Sequence, residues 1–122
     1  MELYIGGYAQ NKLEYVKSLY PDLLSSADYI LVNDFHLIVK KQLDQGLDES
    51  AVLEKMDELI KDADQKKTKL IIICDEIGSG IVPMEKADRL WREVVGRLLC
   101  MIAKKADMVT RIVCGLPQVI KS

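Results

Sequence analysis

At 122 residues, 49% of them hydrophobic, the chain can fill one core and is too short for two ordinary domains, so a single domain over residues 1–122 is expected. Its 17 basic and 19 acidic side chains are interspersed and leave a formal net charge of −2. That balance argues against an electrostatically driven nucleic-acid binder and leaves a small molecule or a protein as partner. The longest apolar run, Leu70 to Cys74, is far below membrane-spanning length, and no basic segment followed by an apolar one opens the chain.

In chain order, Leu3 to Ile5 reads as a first strand, ending in Gly6 and Gly7. A short helix follows from Asn11 to Leu19 and is stopped by Tyr20-Pro21. Tyr29 to Val32 is a second strand, and a helix from Asp34 to Leu43 runs until Gly46 breaks it. From Glu49 to Ala63 the apolar positions Val52, Leu53, Met56, Leu59, Ile60 and Ala63 recur at three and four, which predicts an amphipathic helix. Leu70 to Cys74 is a third strand; Pro83 opens a last helix whose stripe of Leu90, Val94, Leu98 and Ile102 runs to about Ala106. Met108 to Cys114 is the fourth strand. None of the four alternates apolar with polar, so each is read as buried on both faces. The three cysteines, Cys74, Cys100 and Cys114, lie in apolar runs and read as reduced core thiols, which points to the cytoplasm.

Alternation of strand and helix implies right-handed βαβ crossovers: an α/β fold of three layers, with a parallel sheet of about four strands and helices on both faces. Ligands of such sheets bind beyond the carboxyl ends of the strands. Four polar or glycine-rich turns fall there: Gly6 to Lys12, Asn33-Asp34, Asp75 to Gly80, and Gly115 to Gln118.

The first turn has the spacing of the phosphate loop G-x-x-x-x-G-K-[ST], with Gly6 and Lys12 in place. Asn11 stands where the second glycine belongs, and Leu13 where a hydroxyl would hold magnesium. In such a loop backbone N–H groups and the helix N-terminus receive phosphate, and the lysine neutralises it. Asp34, after a buried strand, is placed as a Walker-B-like aspartate that holds magnesium, and equally as a helix N-cap. His36 is the only histidine; it has no orienting partner in the sequence and reads first as a partly buried structural residue. Asp75 and Glu76 leave a buried strand into glycines, where a carboxylate can orient a hydroxyl, act as base or complete a magnesium shell.

The runs "EIGSGIVP", "RLWREVVGR" and "ADMVTRIVCGLPQVIK" resemble the carboxyl half of the adenosylcobinamide kinase/adenosylcobinamide-phosphate guanylyltransferase family. The resemblance rests on Glu76, Gly78, Gly80, Val82, Pro83, Arg92, Gly96, Arg97, Ala106, Asp107, Gly115, Pro117 and Lys121. Gly6, Gly7 and Lys12 resemble the family's phosphate loop, and Asp34 its Walker-B aspartate. The resemblance implies a P-loop, RecA-like fold and work in cobalamin assembly, with a nucleoside triphosphate, adenosylcobinamide as corrinoid acceptor, and Mg2+ with ATP or GTP. It implies that Gly6, Gly7, Asn11 and Lys12 hold the nucleotide, that Asp34 or Glu76 organises the metal and the chemistry, and that Arg92 or Arg97 assists with charge. It also implies a homo-oligomer.

Several positions depart from the family pattern. Asp75 stands for the asparagine of its turn, and Leu99-Cys100 for an asparagine-glutamine pair. Between Tyr20-Pro21 and Tyr29 there is no strand and helix of the kind that carries the family's reactive histidine, so guanylyl transfer is not carried over to His36. Two further readings stand beside a kinase: a non-catalytic relative that binds or regulates in the corrinoid pathway, and an α/β interaction module without a ligand.

Overall fold

The computed structural model describes residues 1–77 and 85–122. In chain order the elements are β1 (Glu2–Gly6), α1 (Lys12–Leu19), β2 (Tyr29–Val32), α2 (Phe35–Asp44), α3 (Glu49–Lys66), β3 (Lys69–Asp75), α4 (Lys86–Lys105), β4 (Met108–Val113) and β5 (Leu116–Lys121). The turn expected between Gly78 and Pro83, and the helix start expected at Pro83, lie outside the described residues.

The sheet order is β2-β3-β1-β4-β5, with β1 central and parallel to both neighbours. Alternation along the strands divides the core. Leu3, Leu70, Ile72, Cys74 and Val109 face α2, α3 and α4, which supply Val39, Val52, Met56, Val94, Leu98 and Ile102. Tyr4, Ile71, Ile73 and Ile112 face the other way, toward Val16 of α1 and Leu23. Helices therefore cover both faces, as the alternating pattern predicted.

A fifth strand enters that the sequence did not announce. Cys114 and Gly115, with φ of 53° and 77°, make a tight turn that folds β5 back antiparallel on β4. Two consecutive positive φ values are the requirement of a type I′ hairpin. Asn-Gly is its usual signal, and Cys-Gly hides it. Pro117 lies within β5, where its missing N–H is tolerated because the strand is at the sheet edge. Burial on both faces holds for β1 and β3 but not elsewhere: edge strand β2 is half-buried, and β4 exposes Arg111 and Val113. The cysteines divide as well, for Cys74 is buried while Cys100 and Cys114 are exposed. Leu90 turns outward and Trp91 takes an inward place on α4.

Helix ends are held by local chemistry. Asp48 caps α3 by accepting the Ala51 N–H at 2.9 Å. Gly46, at φ 95°, ends α2 by donating to the Leu43 carbonyl. At the opposite end of β1 from its loop, the buried Glu2 carboxylate accepts from Tyr4 at 2.6 Å and Tyr20 at 2.7 Å and meets Lys69 at 3.1 Å. Burial pushes the Glu2 carboxyl up, but the hydrogen bonds from Tyr4, Tyr20 and Lys69 together outweigh it and hold the group below its usual value.

Gly6 closes β1 at a point where no side chain fits. A Cβ there would stand 2.5 Å from the Ile112 carbonyl oxygen of β4, a backbone atom that cannot swing away. Gly6→Ala is expected to cost on the order of 1–3 kcal/mol by overpacking, measured by urea denaturation. The Glu2 network has a pH signature. A depressed folded-state pKa stabilises fully above the ordinary value of 4.5 and is lost as pH falls through the lower folded value. Glu2→Gln should therefore flatten the acid limb of the stability profile and leave its shape above pH 6 unchanged; an unaltered acid limb would contradict the network's role.

Candidate functional site

Beyond the carboxyl ends of β1, β2 and β3 lies a cleft of about 500 Å³, lined among others by Asn11, Lys12, Asp34, His36, Asp75 and Trp91. The loop after β1 delivers Lys12, the first residue of α1, into this cleft. Its ammonium is buried, 2.6 Å from Asp75 Oδ1, and donates to the Gly7 carbonyl at 2.8 Å. Asp75 stands there because β1 and β3 are paired in parallel with Gly6 opposite Asp75. Loop lysine and strand-end carboxylate are therefore neighbours by register. A charge this deep is tolerable only with a partner.

His36, in the first turn of α2, is buried on the other side of the same carboxylate. Its Nδ1 accepts the Asp75 backbone N–H at 3.2 Å, and its Nε2 is 3.3 Å from Asp75 Oδ2. Trp91 of α4 donates its indole N–H to the His36 carbonyl at 2.7 Å and so ties α2 to α4 behind the site. The orienting partner that sequence alone withheld from the His36 ring is Asp75, while Trp91 holds its backbone; both are remote in the chain.

Asn11 and Asp34 both occupy N-cap positions, of α1 and α2, and neither uses its side chain as a cap. Both have left-handed backbone, φ 61° and 53°. A cap residue is normally extended, with its side chain folded onto the helix N–H groups. Here that conformation costs on the order of 1 kcal/mol each and leaves an amide and a carboxylate at the cleft. Of the two readings weighed for Asp34, the structure excludes the side-chain cap.

Other expected site residues lie differently. Glu76 donates its N–H to the Gly6 carbonyl at 2.7 Å, and its carboxylate meets Arg111 Nε at 3.1 Å. The groups able to share a cation, among the described residues, are Asp34, His36 and Asp75; Glu76 does not join Asp34 there. Arg97 is ion-paired with Glu49 at 2.5 Å on an exposed face between α4 and α3, away from the cleft. Arg92 follows Trp91 on α4 and is half-buried. Gly115, after β4, donates its N–H to the Gln10 carbonyl at 3.2 Å, while Gln10 Oε1 accepts the Cys114 N–H at 2.6 Å. The last turn thus braces the first. Burial pushes the Cys74 thiol up to about 12, so this cysteine stays neutral beside the site.

A central strand that delivers a loop lysine to the carboxyl edge of a mostly parallel sheet defines a P-loop-type α/β protein. Within that class the match is specific: the family model for cobinamide kinase / cobinamide phosphate guanyltransferase covers residues 9–120, and the chain belongs to that family. It is similar to the bifunctional adenosylcobalamin biosynthesis protein CobU of Salmonella typhimurium, with 31% identity over 81 residues, 66% of this chain and 45% of the relative. The protein of the same name from Escherichia coli is 30% identical over 73 residues, 60% of this chain and 40% of the relative. The matched segments thus span less than half the length of these curated relatives. Among the described residues no helix is long and apolar enough to cross a membrane.

Removing one member of the Lys12–Asp75 pair strands the other. Asp75→Ala is expected to cost about 3 kcal/mol, the low end for a buried pair, because the Asp75 side chain keeps 16% exposure. Adding Lys12→Met to that variant should recover most of the loss in urea denaturation; equal destabilisation in the single and double variants would mean that the pair is not what matters.

Proposed function

We propose that the chain is a nucleotide-binding protein of adenosylcobalamin biosynthesis that binds a nucleoside triphosphate, ATP or GTP, at the Gly6 to Lys12 loop. The observation that carries this reading is Lys12, held at the start of α1 in a cleft beyond the sheet, in a chain of the cobinamide kinase family. The retained chemistry is that of the kinase half, phosphoryl transfer to a corrinoid alcohol such as the adenosylcobinamide hydroxyl. Guanylyl transfer is not part of the proposal.

In this reading the N–H groups of the first turn of α1, which lack carbonyl partners within the helix, receive phosphate oxygens, and Lys12 neutralises them. Magnesium requires oxygen ligands. Leu13 offers none, whereas the Asp34 carboxylate is exposed at the cleft and free of a capping role. Asp34 is thus the residue that would hold the ion, whose positive charge would offset that of the phosphates. For Glu76 to share the ion, as the family resemblance implies, its carboxylate must leave Arg111.

One observation favours the alternative of a non-catalytic binding or regulatory relative in the corrinoid pathway. Lys12 is already satisfied by Asp75, so phosphate must compete with a built-in carboxylate. Calorimetric titration with GTP and ATP, each with and without Mg2+, separates the two. The expected outcome is micromolar, Mg2+-dependent binding that weakens at least tenfold in Lys12→Ala and strengthens about tenfold, ~1.4 kcal/mol, in Asp75→Asn. Absence of heat with either nucleotide, from folded wild type and from Asp75→Asn alike, would overturn nucleotide binding. Binding without corrinoid phosphorylation would decide for the non-catalytic reading.

A further inference from the structure

The geometry points to a second use of the cleft: we propose that Asp34, His36 and Asp75 bind a divalent transition-metal cation of the zinc type, directly and without nucleotide. One ligand atom from each of the three lies within 4.8 Å of those of the other two. They come from the β2–α2 junction, the first turn of α2 and the end of β3.

The distance between His36 Nε2 and Asp75 Oδ2 is the informative one. At 3.3 Å it is long for a charge-assisted hydrogen bond, which closes to about 2.7–2.9 Å. It matches two donors on one metal. Nitrogen and oxygen each ~2.1 Å from zinc stand about 3.0 Å apart at a right angle and about 3.4 Å apart at the tetrahedral angle. Asp75 can serve without releasing Lys12, since the ammonium holds Oδ1 and the cation would take Oδ2. Asp34 is exposed, so its carboxylate has the freedom to close in on the other two donors from its place within 4.8 Å of them.

Charge agrees. The lining of the cleft carries three carboxylates, Glu14, Asp34 and Asp75, against the single ammonium of Lys12. With Lys12 and Asp75 neutralising each other, the remainder is negative and attracts a cation before any anion arrives. An imidazole among two carboxylates suits zinc and similar ions, whereas Mg2+ prefers oxygen throughout.

Binding leaves a mark on the ring. In the metal-free chain Nδ1 accepts the Asp75 N–H, which places the proton on Nε2. A cation on Nε2 takes that position and the ring proton moves to Nδ1, which can then no longer accept from the Asp75 N–H. The 3.2 Å hydrogen bond is lost, and the two N–H groups must move apart at a cost that the coordinate bond offsets. His36 is the sole histidine, so its imidazole signals are unambiguous.

The test is a Zn2+ titration of the full chain without nucleotide, in a Cys100→Ser/Cys114→Ser background because both thiols are exposed. It is read by calorimetry and by long-range proton–nitrogen NMR of the imidazole. Expected are one ion per chain, a switch of the ring from the Nε2–H to the Nδ1–H form, and little displacement by millimolar Mg2+. His36→Gln and Asp34→Asn should each weaken binding at least tenfold; Asp34 lies at the surface, so its variant folds even if the buried histidine variant does not. No saturable binding, unchanged imidazole signals, equal affinity in Asp34→Asn, or a requirement for nucleotide would each overturn the site. Because no nucleotide is present, this outcome is separate from that of the nucleotide titrations.

Discussion

The central position of β1, hydrogen-bonded in parallel on both sides, is the constraint from which the site follows. Its register sets Gly6 opposite Asp75 on β3 and opposite Ile112 on β4. The chain leaving β1 must therefore pass between two strand ends. Gly6 is there because the Ile112 carbonyl leaves no room for a Cβ, and the Glu76 amide is bonded back to the Gly6 carbonyl. Once that exit is set, the loop returns Lys12 onto the carboxylate that the register put beside it. The geometry of the cleft is thus a property of the sheet, and the helices add His36 and Trp91 around it.

Electrostatics then shape what the cleft can accept. A buried ion pair adds little net stability, since desolvation offsets the attraction, but each partner becomes costly without the other. Lys12 and Asp75 are mutually required in the free chain, so an incoming phosphate must replace Asp75 at the ammonium or arrive with a cation that engages the acid. The family resemblance sets an asparagine where Asp75 stands. In this chain the carboxylate at that position leaves Lys12 already partnered.

The sequence was read correctly where a local pattern has a local cause. The amphipathic stripe from Val52 to Ala63 is α3, which runs a turn further because Lys67 adopts the left-handed turn at its end. Four strands were visible as β-branched runs, and the exits of the first three border the cleft. The fifth strand was hidden because its turn uses Cys114 at positive φ, a conformation that residue type does not advertise, and because Pro117 argues against a strand until its edge position is known. Arg97 looked like a site residue by its place in a motif, yet α4 turns it onto Glu49. The odd cysteine count was legible; that Cys100 and Cys114 face outward was not.

By itself the sequence determined the order of elements as far as the fourth strand, the α/β class, the lysine-bearing loop after the first strand and the family, because each is written in residues near one another or in motif spacing. Only the tertiary structure decided which of two adjacent acids meets Lys12. Asp75 and Glu76 are indistinguishable in sequence, but successive residues at a strand end point to opposite sides. The pairing of β3 with β1 sends one to the cleft and leaves the other to Arg111. The same holds for His36, whose partners come from residues 39 and 55 positions away. Contacts between distant segments depend on register and packing, and no local pattern encodes them.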